Sequence, residues 1–224
     1  LTGDPVADGV LLVVLVLAVV LSVGLLVSGR DGALGYLGGR ESELAHVLMN
    51  AVMAWMLTPL FTGGAGTLVV VLFGVTAAVF AGLLVLGFAG PGHWRERRPA
   101  SAYHLVASLA MVYATVRMTG TGSAHHGHDM PGMDMSGMDM SGMDMAPPVS
   151  GPAWVLAVLF ALDAVGTAIV VAAAPDTVLA RAAAPGQAAP GPEPGLRRRL
   201  RVAAVPHVVM DVAMVVMLLG PHRA

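Results

Sequence analysis

Six long apolar runs constrain this chain more than any other feature, at residues 9–28, 44–61, 66–88, 102–118, 153–174 and 202–220. A helix rises about 1.5 Å per residue, so roughly 20 mainly apolar residues cross the ~30 Å hydrocarbon core of a bilayer. Charged residues make up 12 % of the chain and hydrophobic ones 56 %, whereas a soluble domain carries about 25 % charged residues. The expected fold is an all-α integral membrane protein, one transmembrane domain over residues 1–224 with about six transmembrane helices. The runs at 44–61, 102–118 and 202–220 are shorter and more polar, and each holds a histidine and methionines. They are expected to be covered by neighbours, while the almost purely aliphatic runs at 9–28 and 66–88 suit lipid. The run at 9–28 follows Asp4 and Asp8 rather than a basic segment and has no evident small-residue cleavage site. It reads as a retained helix and not a signal peptide.

Orientation follows from the arginines, since the chain has no lysine. Arg30 and Arg40 follow the first run, Arg95, Arg97 and Arg98 the third, and Arg181, Arg197, Arg198, Arg199 and Arg201 the fifth. Against these, only Arg117 and Arg223 lie on the other side. Arginine-rich loops stay in the cytoplasm, so a multi-pass plasma-membrane protein with both termini outside is expected. Residues 62–65 (TGGA) read as a tight external turn. Residues 175–201 read as a cytoplasmic linker, flexible where Ala, Pro and Gly crowd at 182–195. The basic run before the last helix fixes orientation and touches anionic lipid; no nucleic-acid role is expected of it.

Residues 119–152 form the remaining external loop, expected to be flexible because Gly, Pro and Ser recur throughout. Within it, 125–145 reads HHGHDMPGMDMSGMDMSGMDM, with Gly-Met-Asp-Met repeated from Gly132, Gly137 and Gly142. Thioethers in a solvated loop gain nothing from burial, so packing does not account for Met130, Met133, Met135, Met138, Met140, Met143 and Met145. Ligand chemistry does. Thioethers are soft donors that favour Cu(I) or Ag(I), while the clustered imidazoles of His125, His126 and His128 accept Cu(II) and other borderline ions. Cysteine is absent, which excludes thiolate sites and leaves His, Met, Asp and Glu for any transition-metal chemistry. The competing reading is a low-complexity linker. The repeats resemble the methionine-rich extracellular segments of eukaryotic high-affinity copper transporters and of bacterial periplasmic copper-resistance proteins, a likeness confined to this loop.

A second pattern lies inside the apolar runs. After His46 stand Met49, Met53 and Met56, and after His207 stand Met210, Met214 and Met217, at offsets 3, 7 and 10 in both. His104 starts a partial copy, with Ala107 at offset 3, Met111 at offset 7 and Met118 at offset 14. Offset 4 is polar each time: Asn50, Ser108 and Asp211. At about 100° per residue these methionine offsets fall within roughly 80° of the histidine. Each helix thus carries one His–Met face that climbs about 15 Å over ten residues and about 21 Å over fourteen. If the three faces converge, three imidazoles sit at the inner end of a sulfur-lined path, an arrangement of three helical hairpins with approximate threefold pseudo-symmetry. Asn50, Ser108 and Asp211 are expected to hydrogen-bond the imidazoles as a second layer. Methionine is also an adaptable packing residue, and a histidine near a helix end often caps a neighbour, so packing is the bland alternative for each residue alone. Asp163, midway along the fifth run, must face protein or water. A structural pin is favoured for it over a proton-coupling group or a partner for Arg117. The Trp residues, Tyr103 and Tyr113 read as interfacial anchors or packing.

The pattern over His46/Met49/Met53, His104/Met111 and His207/Met210/Met214 resembles a family of actinobacterial polytopic membrane proteins of unassigned function, whose even-numbered helices bear H-x-x-M-x-x-x-M signatures. That resemblance implies membrane location and little about mechanism. The functional expectation is a copper-binding membrane protein that captures Cu(I) or Cu(II) at the loop and binds or conducts it along the His–Met core. No nucleotide-binding loop is visible, and no enzymatic activity is expected. The alternatives are a haem-binding electron-transfer protein with axial His and Met ligands, and a structural or assembly subunit. Expected partners are the bilayer, the metal ion, and a further protein, either a second copy of the chain or a copper chaperone.

Overall fold

The computed structural model describes residues 4–27, 40–62, 64–90, 98–120, 150–173 and 196–220. They form six helices: α1 (Pro5–Val27), α2 (Arg40–Met56), α3 (Ala65–Ala89), α4 (Arg98–Gly120), α5 (Gly151–Ala173) and α6 (Leu196–Leu219). The described residues contain no strand. Four of these helices are long and apolar enough to cross a membrane: α1, α3, α5 and the Leu200–Leu219 part of α6.

Helix ends follow backbone hydrogen bonding and local chemistry rather than hydropathy. Asp4 caps α1, its carboxylate accepting from the Val6 N–H at 2.9 Å, as preferred where the first amides lack helical partners. Helix α2 starts at Arg40, ahead of the apolar run, and carries Ser42 and Glu43 into the buried core. It stops at Met56, where Pro59 disfavours the helical conformation of the residue before it. The chain then turns, the Leu57 N–H reaching only to the Ala54 carbonyl at 3.2 Å, and the Ala65 N–H closes a turn on the Thr62 carbonyl at 2.8 Å.

Consecutive helices pack together, α1 on α2, α3 on α4 and α5 on α6, while α2, α4 and α6 also touch one another and α1 reaches α6. Gly66, at the start of α3, lies against Thr119, near the end of α4, so tightly that a side chain there would collide with the threonine methyl. Phe80, further along α3, stacks on His104 near the start of α4, with ring centroids 4.9 Å apart; the two helices therefore run antiparallel. Small residues allow close approach where lipid supplies no hydrophobic drive between helices. Ala107, Ala110 and Ala114 of α4 and Ala203 and Ala213 of α6 play that part, all fully buried. Methionine and alanine make up most of the central cluster, the methionines all coming from α2, α4 and α6. Leu15 of α1, Phe73 of α3 and Phe160 of α5 reach into it from the surrounding helices.

Candidate metal centre

The residues singled out along α2, α4 and α6 are brought together. His46, His104 and His207 are each 1 % exposed. The His46 ring centroid lies 5.2 Å from that of His104 and 5.4 Å from that of His207, edge-on in both cases. Tyr103 closes the circle from the other side, 5.3 Å from His104 and 4.7 Å from His207. The centre is thus a cycle of four rings, three imidazoles and a phenol.

Hydrogen bonds orient these rings. His46 Nε2 meets His207 Nδ1 at 3.2 Å, and His207 Nε2 meets Asp163 Oδ2 at 2.6 Å. For neutral rings and an ionised Asp163 the pattern has one solution. His207 Nε2–H donates to the carboxylate, His46 Nε2–H donates to the bare His207 Nδ1, and His46 Nδ1 keeps its lone pair. That nitrogen has no hydrogen-bond partner, and Glu43 Oε2 stands 3.9 Å from it. His104 Nε2 pairs with Ser42 Oγ at 2.7 Å, while its Nδ1 is buried and also without a partner. Buried polar atoms in folded proteins are nearly always hydrogen-bonded, so two orphaned imidazole nitrogens in one cluster call for a cause. A Lewis acid needs such lone pairs.

The methionines continue the same faces. Met49, Met53, Met111, Met210 and Met214 are fully buried, Met217 is 1 % exposed and Met56 6 % exposed. All of these lie in one cluster with Met118 packed, partly buried, against it. The second layer differs from expectation. Asn50 Nδ2 donates to the His46 carbonyl at 2.9 Å and the Pro206 carbonyl at 3.4 Å. Ser108 Oγ donates to the His104 carbonyl at 2.7 Å. Both side chains fold back onto the helix backbone, as short polar side chains do four residues on, and neither bonds an imidazole. Asp211 alone approaches one, its Oδ2 3.6 Å from His207 Nε2.

Three further residues enter the site. Tyr103 stacks on His207 and gives its hydroxyl proton to Asp211 Oδ1, a role beyond anchoring. Asp163 pairs with His207 and not with Arg117, whose guanidinium lies 5.9 Å from the Tyr113 ring centroid. Ser42 buttresses His104 and was hidden by its place ahead of the apolar run. Asp163 did carry a signal, as a carboxylate midway along an apolar helix. His125, His126, His128, Met130, Met133, Met135, Met138, Met140, Met143 and Met145 lie outside the described residues, as does the 175–195 part of the linker.

The family model for a domain of unknown function, DUF5134, matches residues 38–220, which take in every helix except α1. The chain belongs to the DUF5134 family. No curated protein and no solved structure matches it. The match to DUF5134 therefore includes the whole histidine–methionine centre and the intervening loop, and carries no activity with it.

Proposed function

We propose that this DUF5134 protein is a plasma-membrane copper-binding protein that takes copper from outside at its His/Met-rich loop and holds or conducts it along the His–Met core. All six helices would span the bilayer as three helical hairpins with approximate threefold pseudo-symmetry and with both termini outside. The histidines then lie near the cytoplasmic end of the path and the methionine faces rise toward the loop. Cu(I) suits the donors, since thioethers and neutral imidazoles are soft to borderline and need no deprotonation. Similar weak donors in series let an ion exchange ligands and move.

The observation that carries this reading is the pair of buried imidazole nitrogens, His46 Nδ1 and His104 Nδ1, left without partners in rings that touch. The haem alternative is less well supported. Rings in direct edge contact leave no gap between them for a porphyrin plate, and haem gives the external loop no task.

Metal analysis and an absorption spectrum of the purified full chain test the proposal, alongside a loop-deleted variant and a His46/His104/His207→Ala triple variant. Copper content is expected to fall in both variants. A Soret band lost with the histidines would favour haem, and a colourless protein that takes up no copper even when loaded would defeat the copper reading.

A further inference from the structure

His207 uses its two nitrogens differently. Nδ1 faces His46, while Nε2 faces two carboxylates, Asp163 Oδ2 at 2.6 Å and Asp211 Oδ2 at 3.6 Å. One ligand atom from each of Asp163, His207 and Asp211 lies within 4.8 Å of the others. The geometry points to a second metal site made of these three side chains, which takes a divalent cation of hard to borderline character and shares only His207 with the soft sulfur and imidazole path.

Donor chemistry separates the two sites. Two carboxylate oxygens and one imidazole nitrogen suit Zn(II) and similar divalent ions and offer nothing soft to Cu(I). Charge separates them as well. Asp163 and Asp211 stand together in the bilayer interior, where an ionised side chain persists only when paired. A hydrogen bond from the His207 N–H neutralises neither charge, and a divalent ion balances both. Asp211 is 0 % exposed, and its Oδ2, aimed at His207 Nε2, has no hydrogen-bond partner. Its Oδ1 is held by the Tyr103 hydroxyl, the outer support that fixes a ligating carboxylate.

Distances fit with one adjustment. Zn–N and Zn–O bonds near 2.1 Å in tetrahedral geometry set neighbouring donors about 3.4 Å apart. The His207–Asp211 separation of 3.6 Å already matches. The His207–Asp163 pair, at 2.6 Å, is spaced for a shared proton. Freeing Nε2 for the ion leaves the total proton count unchanged. Its proton passes by Asp163 to solvent, His46 passes its Nε2 proton to His207 Nδ1, and His46 takes one up on Nδ1. The Asp163 side chain, 31 % exposed, has room to draw back. The same exposure makes Asp163 the open side of the site, where water carried in with the ion would complete the coordination.

The probe is Zn(II), added to the full chain in detergent with His125, His126 and His128→Ala to silence the loop imidazoles. Zinc-edge X-ray absorption is expected to show oxygen and nitrogen donors with one imidazole and no sulfur. Asp163→Asn and Asp211→Asn are each expected to weaken Zn(II) binding by at least about 100-fold, since loss of an outer partner alone costs 10- to 100-fold. Cu(I) binding, measured by competition with a chromogenic chelator, should fall far less than Zn(II) binding in both, because the unpartnered Nδ1 atoms of His46 and His104 are untouched. Absent zinc binding, a spectrum with sulfur or several imidazoles, or affinities within about twofold of the parent in both variants, would overturn the inference; the spectrum decides even where a variant fails to fold. Zinc bound as expected by a protein that takes no Cu(I) would leave this site standing and remove the copper reading, and the converse result would do the opposite.

Discussion

Helices α1, α3 and α5 differ from α2, α4 and α6 in kind. The first set contains no methionine and no histidine, whereas every methionine outside the loop lies on the second. Only 17, 22 and 22 % of the apolar spans of α1, α3 and α5 is buried, against 56 % for α6. Valines dominate their exposed surfaces, among them Val13, Val71, Val75 and Val155. Aliphatic residues at ease in lipid form the outer set, and the histidines and methionines gather on the inner one. Of the two helices not among the four candidate spans, α2 is only 17 residues long, while α4 is long enough but too polar. Both bury polar residues, Ser42, Glu43, His46 and Asn50 on one, Ser101, His104, Ser108 and Thr115 on the other.

The contrast can be attacked with single substitutions, read as unfolding free energies in mixed micelles. Met53→Ala, at a fully buried position, should give the largest loss, about 1–3 kcal/mol. That lies at and below the lower end of the roughly 2–5 kcal/mol range for buried Met→Ala, because lipid also solvates methionine in the unfolded reference. A loss below about 0.5 kcal/mol would mean that the inner faces are loosely packed. Ser42→Ala removes the partner of His104 Nε2 and is expected to cost about 0.5–1.5 kcal/mol. It should also lower copper retention more than its stability effect explains, if the orientation of His104 matters to the metal. Val75→Ala, on the exposed side of α3, should change stability by less than about 0.5 kcal/mol. A larger effect there would show that α3 meets a protein surface and not lipid, and would blur the division into two sets.

The faces of α2, α4 and α6 were legible because helical periodicity is a local property. Offsets of 3, 7 and 10 place methionines beside a histidine whatever surrounds the helix. The folding back of Asn50 and Ser108 was legible in principle as well, since a short polar side chain four residues on reaches the preceding carbonyl; Thr115 does the same to Met111 at 2.8 Å. The partnership of Asp163 with His207 was not. It joins positions 44 residues apart, and its existence depends on the axial register of α5 against α6, which periodicity leaves undefined. The closure of the ring cycle by Tyr103 is of the same type, since its partner Asp211 lies 108 residues away. Ser42 and Glu43 were missed for another reason. Hydropathy falls where polar side chains begin, but a helix continues as long as its amides find carbonyls, and α2 does so back to Arg40.

Pro206 stands inside α6, immediately before His207. Without an amide hydrogen it gives nothing to the Val202 carbonyl, so the hydrogen-bond ladder of α6 is one rung short at that level. Its own carbonyl is tied to Asn50 of α2, which fastens the joint to the neighbouring helix. Bending of α6 concentrates at such a point. The missing rung divides α6 into a basic arm, Leu196–Val205, and an arm that starts at His207. His207 and Asp211 ride on the same arm, so a bend at this joint would carry both as a pair and change their distances to His46 on α2 and to Asp163 on α5 together.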